Sequence, residues 1–215
     1  MEARIHNQID VLLSRYPELK NTEKEIEKAY AILEECYISG GKLLVAGNGG
    51  SAADAEHIVG ELMKGFENPR VLKEEFKSKL NAVNSELGMT LANNLQMALP
   101  AIALDGHIAL TTAYMNDCEP LLCFAQQVNG YGKKDDVFLG ISTSGNSKNI
   151  LYAATVAKAK GLKVIGLTGK NCSKLEQIAD ITIHTSQTRT YMIQEQHLPI
   201  YHCLCLMLET RFFDV

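Results

Sequence analysis

His57 and Glu61 sit four residues apart in the run AADAEHIVGELMKGF, Ala52 to Phe66. In a helix that spacing puts both on one face, one turn from each other. A histidine and a glutamate so placed can share a divalent metal, or act as acid and base on one substrate. A solvated i,i+4 pair is the commoner meaning of the spacing. Here the pair follows a candidate ligand loop, Gly47-Asn48-Gly49-Gly50-Ser51, by only two turns. That loop ends the short apolar run Lys42 to Ala46 and opens the helix. This is how an α/β sheet presents a ligand loop at the carboxyl ends of its strands. GNGGS has the spacing of neither a dinucleotide fingerprint nor a P-loop, and a plain tight turn is its alternative reading.

A second loop lies in GISTSGNSKN, Gly140 to Asn149. Val137-Phe138-Leu139 before it is a run of buried-strand type, and Ile150 to Ala154 after it begins a helix. Ser142, Thr143, Ser144, Asn146 and Ser147 surround Gly145. A hydroxyl-rich loop entering a helix N-terminus suits a phosphate. The first backbone N–H groups are unpaired there, the helix dipole is positive, and Ser/Thr hydroxyls add donors. The same residues also favour an N-cap and a turn. A third group lies on the last helix, expected from about Tyr191 to Phe212. It carries Gln194, Glu195, His197 and His202 with Pro199 among them, on a surface otherwise apolar. Core or subunit interface explains that apolar surface; the polar group leaves a structural histidine and a ligand equally open.

The elements that must hold these groups alternate. Residues 1–16 and about 22–39 read as helices, with Ile5, Ile9, Leu12 and Leu13 on one stripe and Ile26, Tyr30, Leu33 and Tyr37 on another. Strands are expected at 42–46, 100–104, 137–141, 162–167 and 180–183. Helices are expected from Ala52, over Glu119 to Asn129, after Ser147 to about Lys160, and briefly over Ser173 to Ile178. Asn116-Asp117 reads as a turn or a site contribution. Short connections between βα units imply a parallel sheet covered on both sides. The stretch 66–99 is too long for an ordinary βα connection. It reads as a lid, an oligomer contact or a helical hairpin.

The totals narrow the function class. The chain has 215 residues, 46% hydrophobic and 21% charged, with 21 basic and 25 acidic side chains and a net charge of −4. That suits one sizeable soluble domain and recommends no nucleic-acid surface. No apolar run approaches the ~18–20 residues of a membrane span. The beginning, MEARIHNQIDVLL, lacks the layout of a signal peptide. The six cysteines form no C-x-x-C, so the expectation is reduced, buried thiols in a cytoplasmic protein.

Taken together, GNGGS followed by H-x-x-x-E, then Asn-Asp, GISTSGNS, LTGK and a terminal I-Q-E-x-H…H helix resemble the SIS (sugar isomerase) domain, most nearly its phosphoheptose isomerases. The resemblance covers roughly residues 40–210, apart from much of 66–99. It implies a single domain over 1–215 with N-terminal helices at 1–39 and an inserted helical segment at 66–99. The implied fold is a flavodoxin-like three-layer α/β sandwich with a five-stranded parallel sheet. It implies conversion of sedoheptulose 7-phosphate to D-glycero-D-manno-heptose 7-phosphate by a homotetramer with sites at subunit interfaces. Carried over, Asn48, Gly49, Gly50, Ser51, Asn116 and Asp117 contact the sugar. Ser142, Thr143, Ser144 and Ser147 hold its phosphate. In zinc-containing members the ligands match His57, Glu61, Gln194 and His202, and the acid/base pair matches Glu61 and His202; Gln194 also meets substrate.

Aldose–ketose exchange removes a proton beside a carbonyl and returns one to its neighbour, so it needs a base and a group serving the oxygen. Glu61 fits the first role and His202 the second, with zinc polarising the carbonyl. The family's arginine-containing turn after the glutamate is replaced here by Lys64-Gly65-Phe66. Gln194 and His202, eight residues apart, differ by ~12 Å in rise on one straight helix, against metal–ligand distances of ~2 Å. Long side chains, a bend near Pro199 or donation from two subunits are the ways to close that gap. The competing class is a non-catalytic SIS protein, either a sugar-phosphate sensor or an adaptor for the replication initiator.

Overall fold

A computed structural model describes residues 1–213; residues 214 and 215, the end of the expected domain, lie outside the described residues. Five parallel strands form one sheet: β1 (Leu43–Ala46), β2 (Ala101–Ala103), β3 (Val137–Ile141), β4 (Lys163–Thr168) and β5 (Ile181–His184), in the order β2-β1-β3-β4-β5. β1 lies between β2 and β3, so the order reverses there, with Leu43 paired to Ala101 on one side and to Val137 on the other. In this flavodoxin-like order ligands collect outside the carboxyl ends of the strands, beside that reversal. The strands read as continuous apolar runs because both faces are covered. Leu43, Val45, Leu139 and Ile165 turn to one core, and Leu44, Ala46, Phe138 and Val164 to the other.

The first core is roofed by α1 (Ala3–Arg15), α2 (Glu23–Ile38), α3 (Gly50–Met63) and α9 (Thr190–Phe213). The second is roofed by α7 (Cys123–Tyr131) and α8 (Lys148–Ala159). Three layers result, as the family resemblance implied. The stripe Ile5, Ile9 and Leu12 is buried under α9, and Gly40 at φ 75° ends α2. Cys36, Cys123, Cys203 and Cys205 are buried and serve the core, whereas Cys118 and Cys172 are exposed, against the expectation of buried thiols.

The stretch 66–99 is a helical hairpin, α4 (Glu74–Val83) and α5 (Ser85–Asn94). Its base is clamped where Val71 bridges Gln96, the Met97 N–H donates to the Arg70 carbonyl, and the Gly65 N–H donates to Gln96 Oε1. The hairpin buries little: α4 has no buried residue, while Val83 is 88% and Met89 63% exposed. Two local expectations change. Asn116-Asp117 is the last turn of a helix, α6 (Ile108–Asp117), and not a turn. α6 buries no side chain, so no apolar periodicity marked it. Residues 174–178 form turns and not a helix, because so short a stretch, pinned by the buried Leu175, makes too few helical hydrogen bonds to offset nucleation.

Candidate active site

The hydroxyl-rich loop leaves β3 at the carboxyl edge of the sheet and enters α8. Gly145 holds φ 62°, and a Cβ there would lie 2.3 Å from Ser173, so the turn requires glycine on two counts. Ser142 is buried, and its hydroxyl meets that of Ser147, the residue preceding α8, at 3.1 Å. The N–H groups of Lys148 and Asn149, opening α8, bond nothing within the described residues. Thr143 and Ser144 face a cavity of about 340 Å³ shared with Lys170 and Thr190. Free N–H donors, a helix N-terminus, hydroxyls and one lysine are what a phosphate monoester needs.

The GNGGS turn is tied to this loop by a residue the sequence did not flag. Asn149 and Asn48 exchange two amide hydrogen bonds, of 3.0 and 2.7 Å. Asn48, Gly49 and Gly50 are exposed at the same edge; Ser51 is buried in the first turn of α3. A Cβ on Gly50 would fall 2.5 Å from Gln194 Nε2, so glycine is what lets Gln194 lie against the turn.

α3 and α9 both start at this edge and descend side by side. Farther down, His57 Nε2 faces Glu61 Oε1 at 3.2 Å, and Lys64 Nζ lies 3.0 Å from Glu61 Oε2. The Lys64-Gly65-Phe66 turn thus sets a cation on Glu61. His202 crosses from α9 with its ring 5.0 Å from His57 and 5.3 Å from Phe66. Its Nε2 is buried with no hydrogen-bond partner. Burial, with His57 beside it, holds the His202 imidazole below its ordinary pKa, against the pull of Glu61. His57 Nδ1 meets the Tyr201 hydroxyl at 2.9 Å, and that hydroxyl donates to Asp54 Oδ1 at 3.3 Å.

The end of α3, which carries Glu61, is fastened by a buried pair the sequence reading also missed. Arg70 Nη1 donates to the Leu62 carbonyl at 2.6 Å and Nη2 to the Glu61 carbonyl at 2.9 Å. Its Nε donates to Glu209, whose carboxylate also accepts the N–H groups of Phe66, Glu67 and Asn68. A long-range pair of this kind leaves no periodic trace in a sequence.

One chain therefore brings His57, Glu61 and His202 together, and separately Asn48, Gln194 and the hydroxyl loop. It does not join the two groups. Glu61 is eleven residues along α3 from Gly50, ~16 Å of helical rise. α9 runs through Pro199 as one helix, with Gln194 at the GNGGS turn and His202 beside His57. Asn116 and Asp117, bonded to each other at 2.8 Å, end α6 and stand exposed.

The donor set suits a divalent ion. His57 Nε2 and a Glu61 oxygen face each other at 3.2 Å, close enough for both to bind one ion. The orphaned His202 Nε2 is a third donor at the same place. The ligand atoms of these three do not all come within 4.8 Å of one another. Among the described residues the trio of such side chains that does is His6, Glu23 and Glu27, on α1 and α2, away from this cluster. Among them, too, no helix is long and apolar enough to cross a membrane.

The chain matches the SIS domain family over residues 7–86 and 78–169. It is 35% identical to a phosphoheptose isomerase of Leptospira biflexa over 215 residues, covering 100% of this chain and 96% of that one. It is also 35% identical to the Synechocystis phosphoheptose isomerase over 188 residues, 87% of this chain and 84% of the other. Among solved structures, the phosphoheptose isomerase from Francisella tularensis superposes with a TM-score of 0.73 at 32% identity, covering 98% of this chain and 100% of that one.

Proposed function

The chain belongs to the SIS domain family, in its phosphoheptose isomerase branch and so among the aldose–ketose isomerases, and from that premise we propose that it converts sedoheptulose 7-phosphate to D-glycero-D-manno-heptose 7-phosphate through an enediol. The observation that carries this reading is the gathering of Glu61 and His202 around His57 on the parallel pair α3 and α9.

The phosphate seats on the Ser142–Ser147 loop against the free N–H groups of α8. The open-chain ketose extends from there over Asn48, Gly49 and Gly50. Glu61 takes the proton from C1, beside the C2 carbonyl. His202, neutral because burial depresses its pKa, donates an N–H to the carbonyl oxygen, as a neutral imidazole electrophile does. The enediol forms with its charge held between these two side chains. Return of a proton at C2 and loss of one from the C1 hydroxyl give the aldose. A divalent ion, zinc by the family's habit, would be held by His57, Glu61 and His202 and would polarise the carbonyl.

The ~16 Å of helical rise between Gly50, beside the phosphate loop, and Glu61 within one chain supports a site assembled from two copies. One supplies the loop, Asn48 and Gln194; the other supplies His57, Glu61 and His202. Gln194 then reaches the ion from the copy that supplies the loop, which closes the ~12 Å gap along α9. Asn116 and Asp117 reach sugar by the same route. The exposed apolar side chains on α4, α5 and α6, such as Val83, Met89 and Ile108, are surface that a homotetramer would cover. The enzyme works in the cytoplasm on this reading.

The test is an aldose–ketose assay of metal-replete protein on sedoheptulose 7-phosphate, with metal analysis of the same sample. Formation of the 7-phosphoheptose with one divalent ion per site is expected. Inertness toward a panel of ketose phosphates, together with capture of a protein partner, would place the chain with the non-catalytic sensors and adaptors instead.

A further inference from the structure

We propose that Tyr201, backed by Asp54, is a positioning residue that fixes the tautomer of His57 and so makes the cluster able to take a divalent cation. The proposal rests on the reading of His57 as a metal ligand. Tyr201 is 1% exposed on α9, and its ring packs edge-on against both histidines, 5.5 Å from His57 and 5.0 Å from His202. Its oxygen stands between two partners, Asp54 Oδ1 at 3.3 Å and His57 Nδ1 at 2.9 Å.

A phenol has one proton, and a carboxylate can only accept. The proton therefore goes to Asp54, and the phenol oxygen must accept from His57 Nδ1–H. A neutral imidazole protonated at Nδ1 has its lone pair on Nε2. That nitrogen is the one facing Glu61, at 3.2 Å. In the other tautomer Nε2–H would donate to Glu61 and close a histidine–glutamate hydrogen bond. No lone pair would then remain for a metal, and one carboxylate oxygen would be engaged. Ligating histidines in general have the tautomer set by the partner of the second nitrogen. What is particular here is the two-step relay, carboxylate to phenol to imidazole, running from α3 to α9 and back.

Tyr201→Phe keeps the ring and removes only the hydroxyl. Asp54→Asn is the second variant, because its amide can donate to the phenol and free the phenolic proton to point at Nδ1. The readouts are cobalt(II) affinity, by competition with a chromophoric chelator, and 15N chemical shifts of labelled histidines in metal-free protein in alkaline buffer. His57 is assigned by loss of its signal in His57→Gln. The expected result is a cobalt affinity reduced about 10- to 100-fold in both variants. In both, His57 Nδ1 changes from a protonated to a bare nitrogen, while the affinity for inorganic phosphate stays that of the wild type. Unchanged cobalt affinity and a still-protonated Nδ1 in both variants would overturn the proposal, as would a wild type that binds no cobalt(II). If both shifts are found in a protein that does not turn over sedoheptulose 7-phosphate, the substrate assignment fails and the role of Tyr201 stands.

Discussion

Replacing Glu209 by glutamine should destabilise the protein far more than loss of an ordinary hydrogen bond. The Glu209 carboxylate accepts the N–H groups of Phe66 at 2.8 Å, Glu67 at 2.9 Å and Asn68 at 3.2 Å, and Arg70 Nε at 2.9 Å. The side chains of Arg70 and Glu209 are 0% and 1% exposed. Glutamine presents an NH2 where an acceptor is needed and leaves the guanidinium buried without its counter-charge. Breaking one side of such a pair costs about 3–5 kcal/mol. For a chain of this length each kcal/mol moves Tm by about 2–4 °C, so a drop of roughly 6–20 °C is expected. Urea and thermal unfolding followed by circular dichroism measure it. The double variant Arg70→Met/Glu209→Leu should recover little. Removing both charges cures the imbalance, but three N–H groups and the carbonyls of Glu61 and Leu62 would still lack partners. A loss below about 1 kcal/mol in Glu209→Gln, or full recovery in the double variant, would refute this account of how the end of α3 is held.

Burial pushes the His197 imidazole down to about 4. The unfolded chain therefore takes up a proton below about pH 6.5 that the folded chain refuses until about pH 4, and roughly 3 kcal/mol of stability is lost across that window as pH falls. Asp105, pushed up to about 6 by burial, has the opposite slope. The difference between wild type and His197→Gln in urea titrations at stepped pH isolates the histidine. Gly145→Ala puts a methyl 2.3 Å from Ser173 at φ 62° and should cost about 1–3 kcal/mol, with a raised KM for the phosphosugar and little change in kcat. Mixing inactive Glu61→Gln subunits with inactive Ser144→Asp subunits should restore activity to a minority of sites; no restoration after verified subunit exchange contradicts a site built from two copies.

Much of the fold was legible because parallel strands covered on both faces are short, continuous apolar runs between glycine-rich turns, as at Leu43–Ala46 and Val137–Ile141. The groups proposed for the chemistry were legible by residue type: His57 with Glu61 by helical spacing, and the Ser142–Ser147 loop by its hydroxyls at a helix entrance. What joins those parts was not. Asn48 meets Asn149, Tyr201 meets Asp54, and Arg70 meets Glu209 across sequence separations that no local pattern encodes. The separation of Gln194 from His202 was readable as a helical rise. That Gln194 lies at the GNGGS turn, away from His202, needed its placement against Gly50.

The most direct measurement is turnover of sedoheptulose 7-phosphate by metal-replete wild type and Glu61→Gln, with phosphosugar binding followed in parallel. The proton transfer assigned to Glu61 predicts a loss of about 10²–10⁴-fold in kcat with binding retained. Wild-type activity in Glu61→Gln would contradict it.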